Sequence, residues 1–207
     1  PDVSQLFPFP LDGFQLESID ALNQGHSVVV SAPTGSGKTL VGEYAIHRAI
    51  AHGQKVFYTT PLKALSNQKL RDFREEFGAE NVGLMTGDLS VNREARVVVM
   101  TTEIFRNMLY AEVDKHDDPL ADVESVVLDE CHYMNDSQRG TVWEESIIHC
   151  PPSVQLVALS ATVANAGQLT DWIEKVHGPT RLVLSDFRPV PLQFSFCSAK
   201  GLHPLLN

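Results

Sequence analysis

No apolar run in the 207 residues approaches the roughly 18–20 that a membrane-spanning helix needs. The first residues lack a charged segment followed by an apolar one, so no secretory signal is expected. Cysteine is scarce and odd in number. Cys131, Cys150 and Cys197 carry no CxxC spacing, which argues for a reducing compartment and against a disulfide frame or a zinc site. The expected location is therefore the cytoplasm, with a nucleus or organelle as the alternative. The histidines show neither H-E-x-x-H nor H-x3-H spacing. Basic charge is short as well: 16 Lys and Arg stand against 26 Asp and Glu, a net charge of −10. A bulk basic footprint for nucleic acid is thus excluded. The deficit is concentrated after Arg106, so any nucleic-acid face must be local and is expected in the first half. No internal repeat or low-complexity segment is visible.

What is present has the make-up of a globular domain, 43% hydrophobic and 20% charged. The length suits one large domain or one and a half. Because the chain opens on Pro1, it is expected to be a segment of a longer protein.

Short apolar runs alternate with helical periodicity. Strands are expected over Ser27–Ser31, Lys55–Thr60, Asn81–Met85, Arg96–Thr101, Ser125–Leu128, Val154–Leu159 and Arg181–Leu184. Helices are expected after Asp12, after Thr39, from Pro61 to Gly78, over Thr102–Tyr110 and through Leu169, Trp172 and Ile173. Leu62, Leu65, Leu70 and Phe73 suit one buried face of the third. Asp114 to Pro119 reads as an acidic loop. Strands apolar on both sides, with helices between them, predict an α/β fold with a parallel sheet covered on both faces. Ligands in such folds bind at the carboxyl ends of the strands, where the polar motifs of this chain fall.

The chain is organised around Ala32-Pro33-Thr34-Gly35-Ser36-Gly37-Lys38-Thr39, between a strand and a helix. Gly35 and Gly37 allow positive φ and close approach of the backbone to a phosphate. Loop N–H groups and a helix N-terminus then face the anion. Lys38 can reach the β- and γ-phosphates of ATP, and Thr39 offers a hydroxyl to Mg²⁺. The usual pattern begins with Gly, and here Ala32 stands in that place. The second decisive stretch is Val126-Val127-Leu128-Asp129-Glu130-Cys131-His132. A buried strand that ends in two carboxylates is costly unless a cation or a proton transfer needs them. Beside a phosphate loop, Asp129 would hold Mg²⁺ through a water, and Glu130 would orient and deprotonate the water that attacks the γ-phosphate.

With these residues in view, the chain resembles the DExH-box helicases of superfamily two. Asp129-Glu130-Cys131-His132 is similar to their motif II and Ser160-Ala161-Thr162 to motif III. Thr60 to Lys69 resembles motif Ia, and Gly83–Asp88 and Thr101–Ile104 resemble two further nucleic-acid motifs. The wording is closest to the superkiller-type, RNA-directed branch, at Asp129–Met134, Arg139–Glu145 and Phe187–Leu192. Cys131 departs from the Val or Ile more usual there and is expected to pack as a small hydrophobe.

The resemblance implies a RecA-like, doubly wound lobe of the P-loop NTPase class. It divides the chain into an adenine-recognition segment (1–25), the ATP-binding lobe (26–185) and the start of a connection to a second lobe (186–207). Phe9 and Gln15 would meet adenine. Pro33, Thr34, Gly35, Ser36, Gly37, Lys38 and Thr39 would cradle the phosphates, and Thr39 and Asp129 would take Mg²⁺. Lys38, Asp129, Glu130 and His132 would form the catalytic set. His132 would join motif II to motif III, where Ser160 and Thr162 would couple ATP state to nucleic-acid binding or cap the next helix. Pro61, Lys63, Asn67, Gly87, Asp88, Thr102 and Glu103 would touch a single RNA strand through phosphates and 2′-hydroxyls. Lys69, Arg71, Arg74, Arg93 and Arg106 could add electrostatic pull. A second RecA-like lobe and accessory domains would be partners within the parent chain, and the segment itself would be a monomer with no membrane contact. Two other readings stay open: a DNA helicase of the same superfamily, and a nucleotide-gated binding module without motor function.

Overall fold

The computed structural model describes residues 2–111, 118–132 and 137–185, without the side chains of 137–140. Most of the expected acidic loop from Asp114 to Pro119 lies outside these residues. So do Tyr133, Met134, Cys197, the Phe187–Leu192 motif and the 186–207 connection.

Eight strands make one sheet: β1 (Ser27–Ser31), β2 (Lys55–Thr60), β3 (Val82–Met85), β4 (Ser90–Val91), β5 (Val97–Thr101), β6 (Val123–Leu128), β7 (Gln155–Ser160) and β8 (Thr180–Leu184). Their order is β4-β3-β5-β2-β6-β7-β1-β8. Every pair is parallel except β3 with β4. The helices are α1 (Val3–Leu6), α2 (Gly13–Asn23), α3 (Thr39–Ala51), α4 (Lys63–Phe77), α5 (Thr102–Tyr110), α6 (Ser137–His149) and α7 (Ala166–Val176). Among the described residues, no helix is long and apolar enough to cross a membrane.

Alternation along the strands feeds two cores. Val28 and Val30 pack with Phe14 and Leu22 of α2, Ile46 of α3 and Phe73 of α4. Val29, Phe57, Val126 and Leu156 pack on the other side with Phe105 of α5, Trp143 and Ile147 of α6 and Ile173 of α7. Both faces are therefore covered, as the two-sided apolar strands require. Trp143 and Trp172 stack at 6.2 Å and seal the second core between α6 and α7. Cys131 packs there too, and burial pushes its thiol up to about 12. On the outer edge, Arg181 of β8 reaches Asp20 Oδ2 at 3.6 Å and donates to Gln24 Oε1 at 2.9 Å.

Three features differ from expectation. The sheet is not wholly parallel, because the two-residue strand β4 turns back onto β3. On α4 the buried residues are Phe73 and Ser66, while Leu62, Leu65 and Leu70 are only half-buried. The first turn of α4 sits at the polar strand ends, where the Ser66 hydroxyl meets that of Thr60 at 2.8 Å. The helices α1 and α6 were not anticipated.

Between α3 and α4, burial and then the facing Glu76 carboxylate push the Glu43 carboxyl up to about 7. Lys69 pulls the other way. The folded state therefore holds a proton that the unfolded chain releases near its ordinary value of 4.5, and stability falls as pH rises from about 4.5 to about 7. Glu43→Gln is expected to melt higher than the unsubstituted chain at pH 8, with the difference disappearing toward pH 5 in thermal scans. At Gly83 an added Cβ would stand 2.0 Å from the Asn92 carbonyl oxygen and 2.7 Å from that of Val91. Gly83→Ala should displace β4 at a cost of about 1–3 kcal/mol, seen as a lower melting temperature.

Candidate nucleotide and nucleic-acid site

Strand β1 delivers Ser31 to the carboxyl edge, and the glycine loop follows at once. Ala32, in the place of the usual first glycine, is fully buried, and its N–H donates to Ser160 O at 3.1 Å. The loop then turns, with Ser36 N–H donating to Pro33 O at 3.1 Å. Gly35 and Gly37 take φ of +84° and +90°. Among the described residues, the N–H groups of Gly35, Gly37 and Lys38 donate to no backbone acceptor outside the regular elements. They surround the N-terminus of α3, which Thr39 opens, and form a nest for an anion. The Ser36 hydroxyl is buried there without a hydrogen-bond partner. Lys38 is buried and folds back so that Nζ donates to Ala32 O at 3.2 Å. An unsatisfied hydroxyl, unpaired amides and a buried ammonium fit a phosphate chain. Pro33 is buried beneath this loop, while Thr34 is exposed on it.

Gln15 braces the loop from α2. Its Oε1 accepts from Asp12 N–H at 2.8 Å, and its Nε2 donates to Gly37 O at 2.9 Å. A Cβ at position 37 would stand 2.8 Å from that Nε2, a second reason for glycine beyond the positive φ. Phe9 is half-exposed, with its ring 6.0 Å from that of Phe7. It lines a cleft of about 680 Å³ together with Val3, Phe7, Leu11 and Leu16. Gln15 is not among the residues that line this cleft.

The acid pair lies at the carboxyl end of β6. Asp129 is 7% exposed, and its backbone N–H donates to Thr59 O at 2.9 Å. Its Oδ2 accepts from the Tyr58 hydroxyl at 2.6 Å, and its Oδ1 from Glu130 N–H at 2.9 Å. Among the described residues no lysine or arginine pairs with Asp129. A buried carboxylate held only by neutral donors is chemically suited to a cation such as Mg²⁺. Glu130 takes φ of +55°, unusual for a residue with a side chain, and this turns it out of the strand. His132 Nδ1 accepts from Ala161 N–H at 3.2 Å, so the ring proton is on Nε2, which faces Glu130 Oε2 at 3.0 Å. The acid pair and the loop after β7 are thereby joined through one imidazole. Ser160 is buried and donates to Ala161 O at 2.8 Å, whereas Thr162 is exposed. Neither caps the next helix, since α7 begins at Ala166 with Asn165 in the capping position.

The residues expected to face nucleic acid occupy the other half of the same edge, at the ends of β2, β3 and β5. Lys63 opens α4 and forms an ion pair with Asp88, which is exposed in the turn between Thr86 and Leu89. Gly87 is exposed beside it, and Pro61 and Asn67 are half-buried. Thr102 is buried, with its hydroxyl donating to Thr60 O at 3.2 Å, and Glu103 is exposed in the first turn of α5. Of the charges offered as auxiliary pull, Lys69 lies over the rings of Tyr58 and Phe73, each at 5.8 Å, and Arg106 faces Glu145 at 3.8 Å. Arg71 and Arg93 are exposed.

The family described as DEAD/DEAH box helicase matches residues 12–169, which include the glycine loop, the acid pair and the loop after β7. The chain belongs to the DEAD/DEAH box helicases. It is 54% identical over its whole length to a chloroplastic DExH-box ATP-dependent RNA helicase, DExH15, of Arabidopsis thaliana, covering 18% of that protein. It is 47% identical over its whole length to the antiviral helicase SKI2 of Saccharomyces cerevisiae, covering 16%. The probable helicase HelY of Mycobacterium tuberculosis is 55% identical over 89% of the chain, which covers 20% of it. Among solved structures, the Mycobacterium smegmatis helicase Lhr bound to ssDNA and AMP-PNP superposes with a TM-score of 0.69 at 26% identity, over 88% of this chain and 26% of that one. The chain thus spans a fifth or less of the length of these curated relatives. Membership of the helicase family implies ATP binding.

Sequence reasoning missed Tyr58 in this helicase lobe. It is one of two aromatics in β2, and its link to Asp129, 71 residues away, follows only from the pairing of β2 with β6. It also missed the bracing role of Gln15, for which Gln at the third position of a capped helix was the available signal. Gln15→Ala removes both bonds and is expected to lower the stability of the nucleotide-free chain by about 1–2 kcal/mol, measured by denaturant melts.

Proposed function

We propose that the chain is the ATP-binding lobe of an ATP-dependent RNA helicase, in which ATP hydrolysis drives movement along or unwinding of RNA. The observation that carries this reading is the imidazole bridge from Glu130 through His132 to Ala161, set beside a glycine loop with an unsatisfied buried hydroxyl. On this reading the loop residues Pro33 to Thr39 seat the phosphates, with Lys38 leaving Ala32 O for the β- and γ-phosphate oxygens. Thr39 and Asp129 would hold Mg²⁺, which neutralises charge on those oxygens when bound. Glu130 accepts a proton from the attacking water, the water oxygen bonds to the γ-phosphorus, and the bond to the β-phosphate oxygen breaks to give ADP and phosphate. The His132 Nε2–H donated to Glu130 holds that carboxylate in place.

RNA is favoured over DNA because relatives such as DExH15 and the mtr4 protein of Schizosaccharomyces pombe are named RNA helicases. Pro61, Lys63, Asn67, Gly87, Asp88, Thr102 and Glu103 would read one strand by shape and backbone, which requires no basic surface of large extent. Arginines that stabilise the transferred phosphate charge would come from a second lobe of the parent protein and are worth ~10³–10⁵ in rate.

The 207-residue chain is therefore expected to bind ATP with slow turnover that single-stranded RNA does not change. Glu130→Gln should abolish the residual turnover while nucleotide binding persists. In a chain that includes the second lobe, RNA should stimulate hydrolysis, and a matched DNA strand should compete poorly. Rapid RNA-stimulated hydrolysis by the 207 residues alone would defeat the division of labour, and equal competition by DNA would favour a DNA helicase.

A further inference from the structure

Tyr58 occupies a slot that three elements leave for it. It is fully buried in the middle of β2, level with Val99 of β5 and Val127 of β6. Its ring lies edge-on to Phe73 of α4, with centroids 4.8 Å apart. On α3, the helix that carries the phosphate loop, Gly42 provides the space, since a Cβ there would come within 3.0 Å of Tyr58 Cε2. The ring therefore has little freedom, and its hydroxyl is aimed along β2 at Asp129 Oδ2, 2.6 Å away.

We propose that Tyr58 is a positioning residue for the cation site: its hydroxyl fixes one oxygen of Asp129, so that the carboxylate meets hydrated Mg²⁺ in a single orientation. This rests on the ATP-lobe reading above and concerns how that site is built. Without the hydroxyl, Asp129 keeps only its bond from Glu130 N–H and can rotate about its side-chain torsions. Losing a hydrogen-bond partner that orients the groups around a metal site usually costs the metal 10-fold or more in affinity. The same strand runs directly into Thr59, whose carbonyl accepts from Asp129 N–H, and into Thr60, whose carbonyl accepts from Thr102. Tyr58 thus ties the acid pair to the strand that ends at the nucleic-acid edge.

The test is equilibrium binding of a fluorescent ATP analogue to the chain, in Mg²⁺ and in EDTA, for the unsubstituted protein, Tyr58→Phe, Asp129→Asn and the double variant. Phenylalanine keeps the ring in its slot, so the melting transition should stay cooperative and close to that of the parent. The Mg²⁺-dependent gain in affinity should fall roughly tenfold in Tyr58→Phe, with little change in EDTA. In the Asp129→Asn background the same substitution should change nothing further, because the hydroxyl acts through that carboxylate. An undiminished Mg²⁺ gain in Tyr58→Phe, equal losses with and without Mg²⁺, or an equal loss in the Asp129→Asn background would each overturn the proposal. Failure of the unsubstituted chain to bind nucleotide at all would instead defeat the ATP-lobe reading and, with it, the premise of this one.

Discussion

Parallel pairing between β1 and β7 sets Ser31 level with Ser160, and between β2 and β5 it sets Thr60 level with Thr101. The chemistry of the molecule depends on this register. Parallel strands place all their carboxyl ends on one edge, so residues distant in sequence are delivered to a common line without any of them being on a long loop. The strand order then divides that line. The ends of β6, β7 and β1 carry the acid pair, the imidazole partner and the glycine loop. The ends of β2, β5 and β3 carry the polar residues suited to a nucleic-acid strand. Strand β2 adjoins β6, so the two halves share a boundary at Tyr58 and Thr59.

Charge on that line is handled locally. Asp129 is buried against neutral donors, Lys38 is tucked onto the carbonyl of Ala32, and Lys63 is matched to Asp88. None of these arrangements requires a positive surface overall. A chain with a net charge of −10 can therefore hold a polyanion at one edge, provided the donors there are backbone amides and short side chains. The positive φ of Glu130 belongs to the same economy of space, since it turns one carboxylate away from its neighbour within a single residue.

Much of this was legible from residues alone where the signal was local. Lys55–Thr60 and Thr102–Tyr110 match expectation end to end, because β-branched runs bounded by turns and an N-cap threonine are local signals. The glycine loop and Asp129-Glu130 were legible for the same reason. What escaped was set at a distance. Strand β4 is two residues long and exists only because β3 is there to pair with. On α4, leucine spacing suggested a buried face, but the helix starts over polar strand ends, and Ser66 lies inside in place of Leu62 and Leu65. For Ser160 and Thr162 the capping role kept beside coupling does not hold, since the loop after β7 is held by the imidazole of His132 and the helix starts later. Tyr58 was not singled out within its strand, because only its hydroxyl, at the far end of a buried ring, reaches Asp129.

The two margins of the sheet are built differently. At one, the short antiparallel β4 ends the ladder after two residues. At the other, β8 runs five residues beside β1 and, among the described residues, has no strand on its outer side. Such a margin is a template on which a second chain could add a strand, and apolar residues along it would invite self-association. Beside it Arg181 points inward over α2, its guanidinium held by Asp20 and Gln24. An inward-pointing charge beside an open edge is one of the ways sheets discourage such pairing, so a contact with no part in ATP chemistry bears on whether copies of the lobe stay apart.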